Sequence, residues 1–299
     1  MRKPLAILTD SHSGILPEEA ARIGVSVLSM PFTVNDQTFL ESVSLSREAF
    51  FRQQAEGASI STSQPAPEAV AALWDEALQT HEQALYLPIS SGLSGSCQTA
   101  AALAQEPAYA GRVLVVDNGR VATPLHRAVL DAVALRDEGH DAQAIKAALE
   151  NSKAEMTIYV ALQTLEYLKR GGRVSPAVAA IGTLLSIKPV LRLSTGVLES
   201  YKKCRGFTRA KAAMIEAVRG DLTIRFRDAH ARGEVYLLAA TSASQEETAQ
   251  WLAEIEAAFP GMPVLCDPLS LGVCCHTGQG ALGIGLSCKP RLQGCQEKR

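Results

Sequence analysis

Short apolar runs alternate with helical patterns through the first half of the chain. Pro4–Leu8, Gln83–Ile89 and Arg112–Val116 are runs typical of buried strands, and Val25–Val34 predicts a further strand that continues through a hairpin turn into Thr38–Leu40. The helices predicted here are Pro17–Ile23, one that Ser46 caps, Pro67–Thr80, Gln98–Gln105, Leu125–Glu138 and Ala142–Glu150. This alternation predicts a parallel sheet covered by helices.

The second half has a different pattern. Its predicted strands are Thr157–Leu162, Ile187–Leu193, Val197–Tyr201, Glu234–Ala240, Val264–Asp267 and Gly272–His276. Its predicted helices are Leu165–Arg170, Arg209–Arg227 and Gln245–Phe259. Ser194-Thr195-Gly196 joins two of the strands as a hairpin, which indicates an α+β domain. With a break near Asn151–Glu155, we expect an α/β domain over 1–153 and an α+β domain over 154–299.

Composition narrows the functional classes. The chain has 299 residues, 47% of them hydrophobic and 5% aromatic, and a net charge of −2. That length suits about two domains with ample core. A charge near zero and few aromatic rings argue against a nucleic acid partner.

The sequence shows no segment that should enter a membrane. The apolar run at the start ends after Leu8, too early for a signal peptide core, and Gly182, Thr183 and Ser186 interrupt the longest apolar stretch, Ala177–Ile187. We therefore expect a cytoplasmic protein without stable membrane insertion.

Cysteine spacing does not favour a metal site. The seven cysteines include no C-x-x-C pair, and Cys274 and Cys275, on a predicted strand, should point to opposite faces. We expect reduced, mostly buried thiols, with no metal and no cofactor.

Four polar segments carry the candidate chemistry: Thr9-Asp10-Ser11, Ser61–Pro65, Ser90–Ser96 and His276–Gly280. The first and third follow strands of the predicted parallel sheet, where ligands of open α/β sheets bind. The third also opens a helix, so its amides and hydroxyls suit a carboxylate or an acyl phosphate. From the residues alone it could equally be a helix-capping turn.

Six strings in order carry a resemblance across nearly the whole chain. They are TDS from residue 9, TSQP from 62, ISSGLSGS from 89, TLEYLKRGGRVS from 164, IKPVL with a later glycine from 187, and HTGQGALG from 276. The sequence resembles the DegV family of bacterial fatty-acid-binding proteins. The resemblance implies two α/β domains with a long-chain fatty acid buried in a tunnel between them as the only ligand.

The resemblance also implies roles for individual residues. Thr62, Ser94 and His276 match the positions that hold the carboxylate, and Arg173 and Arg205 match arginines near its phosphate end. A separate fatty acid kinase subunit would phosphorylate the bound carboxylate. The remaining pocket candidates, chosen from the polar segments, are Asp10, Ser11, Ser63, Gly95 and Ser96.

Other functions remain open from the sequence. Ser11, Ser94 and His276 could imitate a serine-dependent acyl hydrolase, although the Gly-x-Ser-x-Gly pattern is absent and no acid is assignable to His276. A lipid carrier unconnected to a kinase and a sheet-based phosphosugar binder are the further alternatives.

Overall fold

A computed structural model describes residues 3–41, 43–174, 187–194 and 196–292. Most of the apolar stretch 177–187 and the hairpin residue Thr195 lie outside these ranges. Among the described residues, none of the helices combines the length and the apolar character needed to cross a bilayer.

The first unit is built on a parallel sheet, as predicted. Its strands are β1 (Lys3–Asp10), β2 (Val25–Leu28), β6 (His81–Leu87) and β7 (Val113–Val115), in the order β2-β1-β6-β7. A small antiparallel sheet in the order β4-β3-β5 contains β3 (Pro31–Val34), β4 (Gln37–Leu40) and β5 (Ile60–Thr62). The single predicted strand Val25–Val34 was wrong, because the chain leaves the first sheet after Leu28 and the Met30 amide donates to Ser11 Oγ at 3.1 Å before β3 begins.

The helices of the first unit follow the predicted spans within a few residues. They are α1 (Pro17–Ile23), α2 (Arg47–Ala55), α3 (Pro67–Thr80), α4 (Ser96–Leu103), α5 (Thr123–Asp137) and α6 (Ala142–Asn151). Ser46 caps α2 by accepting a hydrogen bond from the Ala49 amide. Apolar side chains of these helices cover the sheet on both faces.

The second unit has a six-stranded mixed sheet in the order β10-β9-β8-β13-β11-β12. Its strands are β8 (Met156–Ala161), β9 (Ile187–Ser194), β10 (Val197–Arg205), β11 (Val235–Thr241), β12 (Val264–Pro268) and β13 (Leu282–Cys288). Its helices are α7 (Glu166–Gly171), α8 (Gly206–Thr223), α9 (Arg227–Ala231), α10 (Gln245–Ala258) and α11 (Leu271–Thr277). The predicted helix Arg209–Arg227 corresponds to α8, which begins and ends a few residues earlier, and Arg227 begins α9.

Two sequence predictions for this unit were wrong. Gly272–His276 belongs to a helix rather than a strand, because Ser270 caps it and the Glu41 carboxylate accepts its first two amides. The second error is that no strand is predicted over Leu282–Cys288, where β13 lies, because Gly283 and Gly285 lower its strand propensity.

The two sheets lie in separate units, and the predicted boundary between 153 and 154 falls in the short turn Ser152–Ala154. Side chains alternate across the second sheet: Met156 and Ile158 pack toward the first unit, whereas Tyr159 and Ala161 pack against α8 and α10. The inner face joins residues of both units in one apolar cluster, which includes Phe32 and Phe50. This shared layer contains the cavity.

Candidate functional site

A cavity lies between the two units, with about 990 Å³ of empty space including its open mouth. Its wall is mainly apolar; side chains from both units contribute to it, among them Ile89, Val121, Ile158, Val160, Leu193 and Ala240. Concave pockets with an apolar wall and a few polar groups suit small apolar ligands. The polar side chains of the wall are His12, Thr62, Ser63, Ser94, Arg173, His276 and Thr277.

Thr62 and His276 form a hydrogen-bonded pair at the cavity. Thr62 ends β5, His276 lies on α11, and their Oγ1 and Nε2 atoms are 2.8 Å apart. His276 Nδ1 has no hydrogen-bond partner in the described part of the chain. Burial first, and then the charges of Arg173 and His12, lower the pKa of His276 to about 4, so its ring is neutral near pH 7.

The segment from β3 to β5 positions both Thr62 and His276. Thr62 belongs to its small sheet, and its buried Glu41 accepts the amides of Leu271 and Gly272, on the helix of His276, at 2.8 and 2.9 Å. Buried Gln54 donates to the carbonyl of Cys274 at 3.0 Å on the same helix. The position of His276 therefore depends on contacts from the other unit.

Ser94 lies in the loop that precedes α4. Its hydroxyl is 2.7 Å from that of Ser96 and accepts the Ser96 amide at 3.3 Å. The loop docks on the second unit, where Ser90 Oγ donates to the carbonyl of Gly196 at 3.2 Å. Gly92 has to be a glycine here, because a Cβ would meet the same carbonyl oxygen at 2.4 Å.

Arg173 is exposed where the cavity meets an outer groove. The groove is lined by Gln64, Ser91, Gly95, Gln98, Thr99 and Arg173, among others, and it shares Leu93, Ser94 and Leu198 with the cavity. Arg173 donates to the carbonyls of Gly171 at 2.6 Å and of Leu93 at 3.4 Å. Arg173 therefore borders both spaces.

The structure brings five of the ten candidate residues together at the cavity. Thr62, Ser63, Ser94, Arg173 and His276 line the cavity. Gly95 lines only the outer groove, and Ser96 acts through its hydrogen bond to Ser94.

Three candidates lie outside this cavity. Asp10 is fully buried, and its carboxylate accepts the amides of His12 and Ile89, so it organises the loops after β1 and β6. Ser11 accepts the amide of Met30 and lines a different pocket. Arg205 is exposed at the end of β10 and lines neither cavity nor groove, because its register partner Ile187 lies at the end of β9 away from the hairpin turn.

Sequence reasoning missed His12. It lines the cavity and is 7% exposed. The signal was available, since it follows directly after the TDS string at the carboxyl end of β1.

Comparison with known proteins places this arrangement in a family. The profile of the DegV family, described as uncharacterised proteins, matches residues 4–289. The chain belongs to the DegV family. A DegV domain-containing protein of Deinococcus radiodurans is 32% identical over 283 residues, which are 94% of this chain and 98% of that protein.

Solved DegV structures share the fold. A DegV family protein of Thermus thermophilus, described by its fatty acid binding, is 32% identical with a TM-score of 0.83, over 96% of this chain and 100% of that one. DegV of Bacillus subtilis, described as a fatty acid binding protein, is 25% identical with a TM-score of 0.81, over 96% of this chain and 100% of that one. The two-unit α/β fold predicted for this DegV chain is thereby confirmed.

Proposed function

We propose that this DegV protein binds a long-chain fatty acid in the cavity between its two units. The observation that carries the proposal is an apolar cavity whose wall holds the hydrogen-bonded Thr62–His276 pair together with Ser94 and Arg173. The fatty acid binding described for the relatives from Thermus and Bacillus supports the same ligand class. Each buried methylene contributes about 0.8 kcal/mol, so an acyl chain binds tightly in such a wall.

Hydroxyls and a neutral imidazole hold the carboxylate in this proposal. With the proton of His276 on Nε2, the ring donates to Thr62 Oγ1 and leaves the Thr62 hydroxyl proton free for a carboxylate oxygen. The Ser94 hydroxyl supplies a second donor, because its oxygen already accepts the Ser96 amide. A buried carboxylate needs such donors, since burial without them is costly.

The fatty acid is presented to a separate kinase subunit, which forms the acyl phosphate. Arg173 supports this step because it is exposed at the junction of cavity and outer groove. Its guanidinium can pair with phosphoryl oxygens on the groove side.

The contacts of Ser94 do not favour the hydrolase alternative. Its hydroxyl pairs with Ser96, and Nε2 of His276 pairs with Thr62. Within the described residues, no carboxylate is hydrogen bonded to the other nitrogen of His276. A serine nucleophile needs a base and an oriented ring, which this arrangement does not provide.

A double substitution of the head-group hydroxyls tests the proposal. Delipidated protein carrying Thr62→Ala and Ser94→Ala is titrated with palmitate beside the parent chain. We expect palmitate affinity to fall at least tenfold, because two donors to a buried charged group are lost. Unchanged affinity in a folded double variant contradicts the head-group assignment.

A further inference from the structure

His12 is a buried polar group in the apolar cavity whose side chain has no hydrogen bond within the described residues. It follows β1, is 7% exposed and lines the cavity wall. Its Nδ1 lies 3.4 Å from Asp10 Oδ1, and this nitrogen makes no hydrogen bond. Because Nδ1 faces the Asp10 carboxylate, the partner that the ring still lacks among the described residues is one for Nε2.

The ring of His12 lies against a glycine, as does the ring of His276. A Cβ at Gly272 would lie 2.6 Å from His12 Nε2, and a Cβ at Gly171 would overlap His276 Nδ1. Gly272 and His276 are four residues apart on α11, so they share one face of the helix about 6 Å apart along its axis. The His12 ring therefore borders the cavity one helical turn away from the Thr62–His276 pair.

The tautomer of His12 decides what kind of partner it takes. The Asp10 carboxylate faces Nδ1 and favours the proton there, which leaves Nε2 as an acceptor. Such a nitrogen accepts a hydrogen bond from a hydroxyl, whereas a keto or ether oxygen has no proton to give.

We propose that His12 binds a hydroxyl group on the acyl chain within the first few carbons after the carboxyl group. The ligand class is then the 3-hydroxy fatty acids, held by the Thr62–His276 pair at the carboxylate and by His12 Nε2 at the hydroxyl. The proposal rests on the proposed function, since it assumes that the carboxylate lies at the Thr62–His276 pair.

The test compares the affinities of 3-hydroxypalmitate and palmitate for the same delipidated protein. In the parent chain, 3-hydroxypalmitate binds at least as tightly as palmitate. His12→Leu replaces the imidazole with an apolar side chain of similar size. This change lowers the affinity for 3-hydroxypalmitate about tenfold relative to the affinity for palmitate. The affinity for 16-hydroxypalmitate relative to palmitate does not change in this variant, because the hydroxyl of 16-hydroxypalmitate lies at the other end of the acyl chain. Gly272→Ala, which places a methyl group against Nε2, is a second variant and lowers the same ratio.

The outcomes separate the two proposals. If palmitate binds and neither variant changes the ratio, His12 holds at most a water molecule and the hydroxyl site is overturned. An equal loss of both ligands in His12→Leu also overturns it, because the ring then serves the carboxylate. If the parent chain binds neither acid, the proposed function itself fails.

Discussion

Thr62 and His276 lie 214 positions apart in the sequence, yet Oγ1 of one is 2.8 Å from Nε2 of the other. The small sheet of the first unit carries the threonine and a helix of the second unit carries the histidine. Their hydrogen bond therefore links the two units at the cavity, and changes at either residue should alter ligand binding.

Thr62→Val should weaken fatty acid binding about tenfold, because it removes a donor to a buried carboxylate and keeps the side-chain shape. Fluorescent fatty acid displacement on delipidated protein measures the change. The matched control is Thr38→Val, a threonine on an exposed strand whose hydroxyl lies 3.5 Å from Thr33. An equal loss in both variants is incompatible with a specific role for Thr62.

Arg173→Ala should reduce acyl phosphate formation by a fatty acid kinase far more than it reduces lipid binding. The reason is that Arg173 lines the outer groove as well as the cavity. Phosphorylation of bound lipid by a reconstituted kinase subunit measures the effect. Arg205→Ala is the control, since this exposed arginine lines neither space. Equal phosphorylation by the Arg173 variant and the parent chain would reject the role.

Glu41→Gln should destabilise the protein by about 1–3 kcal/mol, because a charge-assisted acceptor for two helix amides becomes a neutral amide. Palmitate affinity should fall with it, since α11 carries His276. Thermal unfolding and lipid titration measure the two effects, with exposed Glu56→Gln as the control. Unaltered stability in Glu41→Gln would show that these contacts do not hold the helix.

The lowered pKa of His276 predicts how stability depends on pH. In the unfolded chain the ring takes up a proton near its ordinary pKa of about 6.5, whereas in the folded, lipid-free protein it does so only at about 4. The unfolded state binds more protons between these values, so the free energy of unfolding falls as pH drops from 6.5 to 4, by at most on the order of 3 kcal/mol.

His276→Asn should reduce the dependence of the unfolding free energy on pH. In the lipid-free parent protein, NMR titration should show the His276 ring neutral at pH 6. A ring that titrates near 6.5 in the lipid-free protein would contradict the predicted burial of this group.

The sequence predicted those parts of the structure that local pattern determines. The apolar runs of β1 and β6 and the helical period of α3 were readable because their burial follows from neighbours in sequence. Thr62 and Ser94 could be named from short strings, but their hydrogen-bond partners could not.

The rest depends on contacts between distant residues. The sequence predicts a strand where α11 lies, because one stabilising partner of this helix is remote: Glu41, which accepts its first amides, lies 230 positions away from Leu271. Arg205 was assigned to the site by the family resemblance alone, whereas strand register places it at the end of β10. The proposed role of His12 depends on the approach of Gly272 from the other unit.

Native mass spectrometry of the purified protein tests directly whether the cavity holds a fatty acid. We expect the parent chain to carry one co-purified long-chain fatty acid, and the Thr62→Ala and Ser94→Ala double variant to retain much less of it. A parent chain that is free of lipid and hydrolyses acyl esters, with that turnover lost in Ser94→Ala, would contradict fatty acid binding as its function.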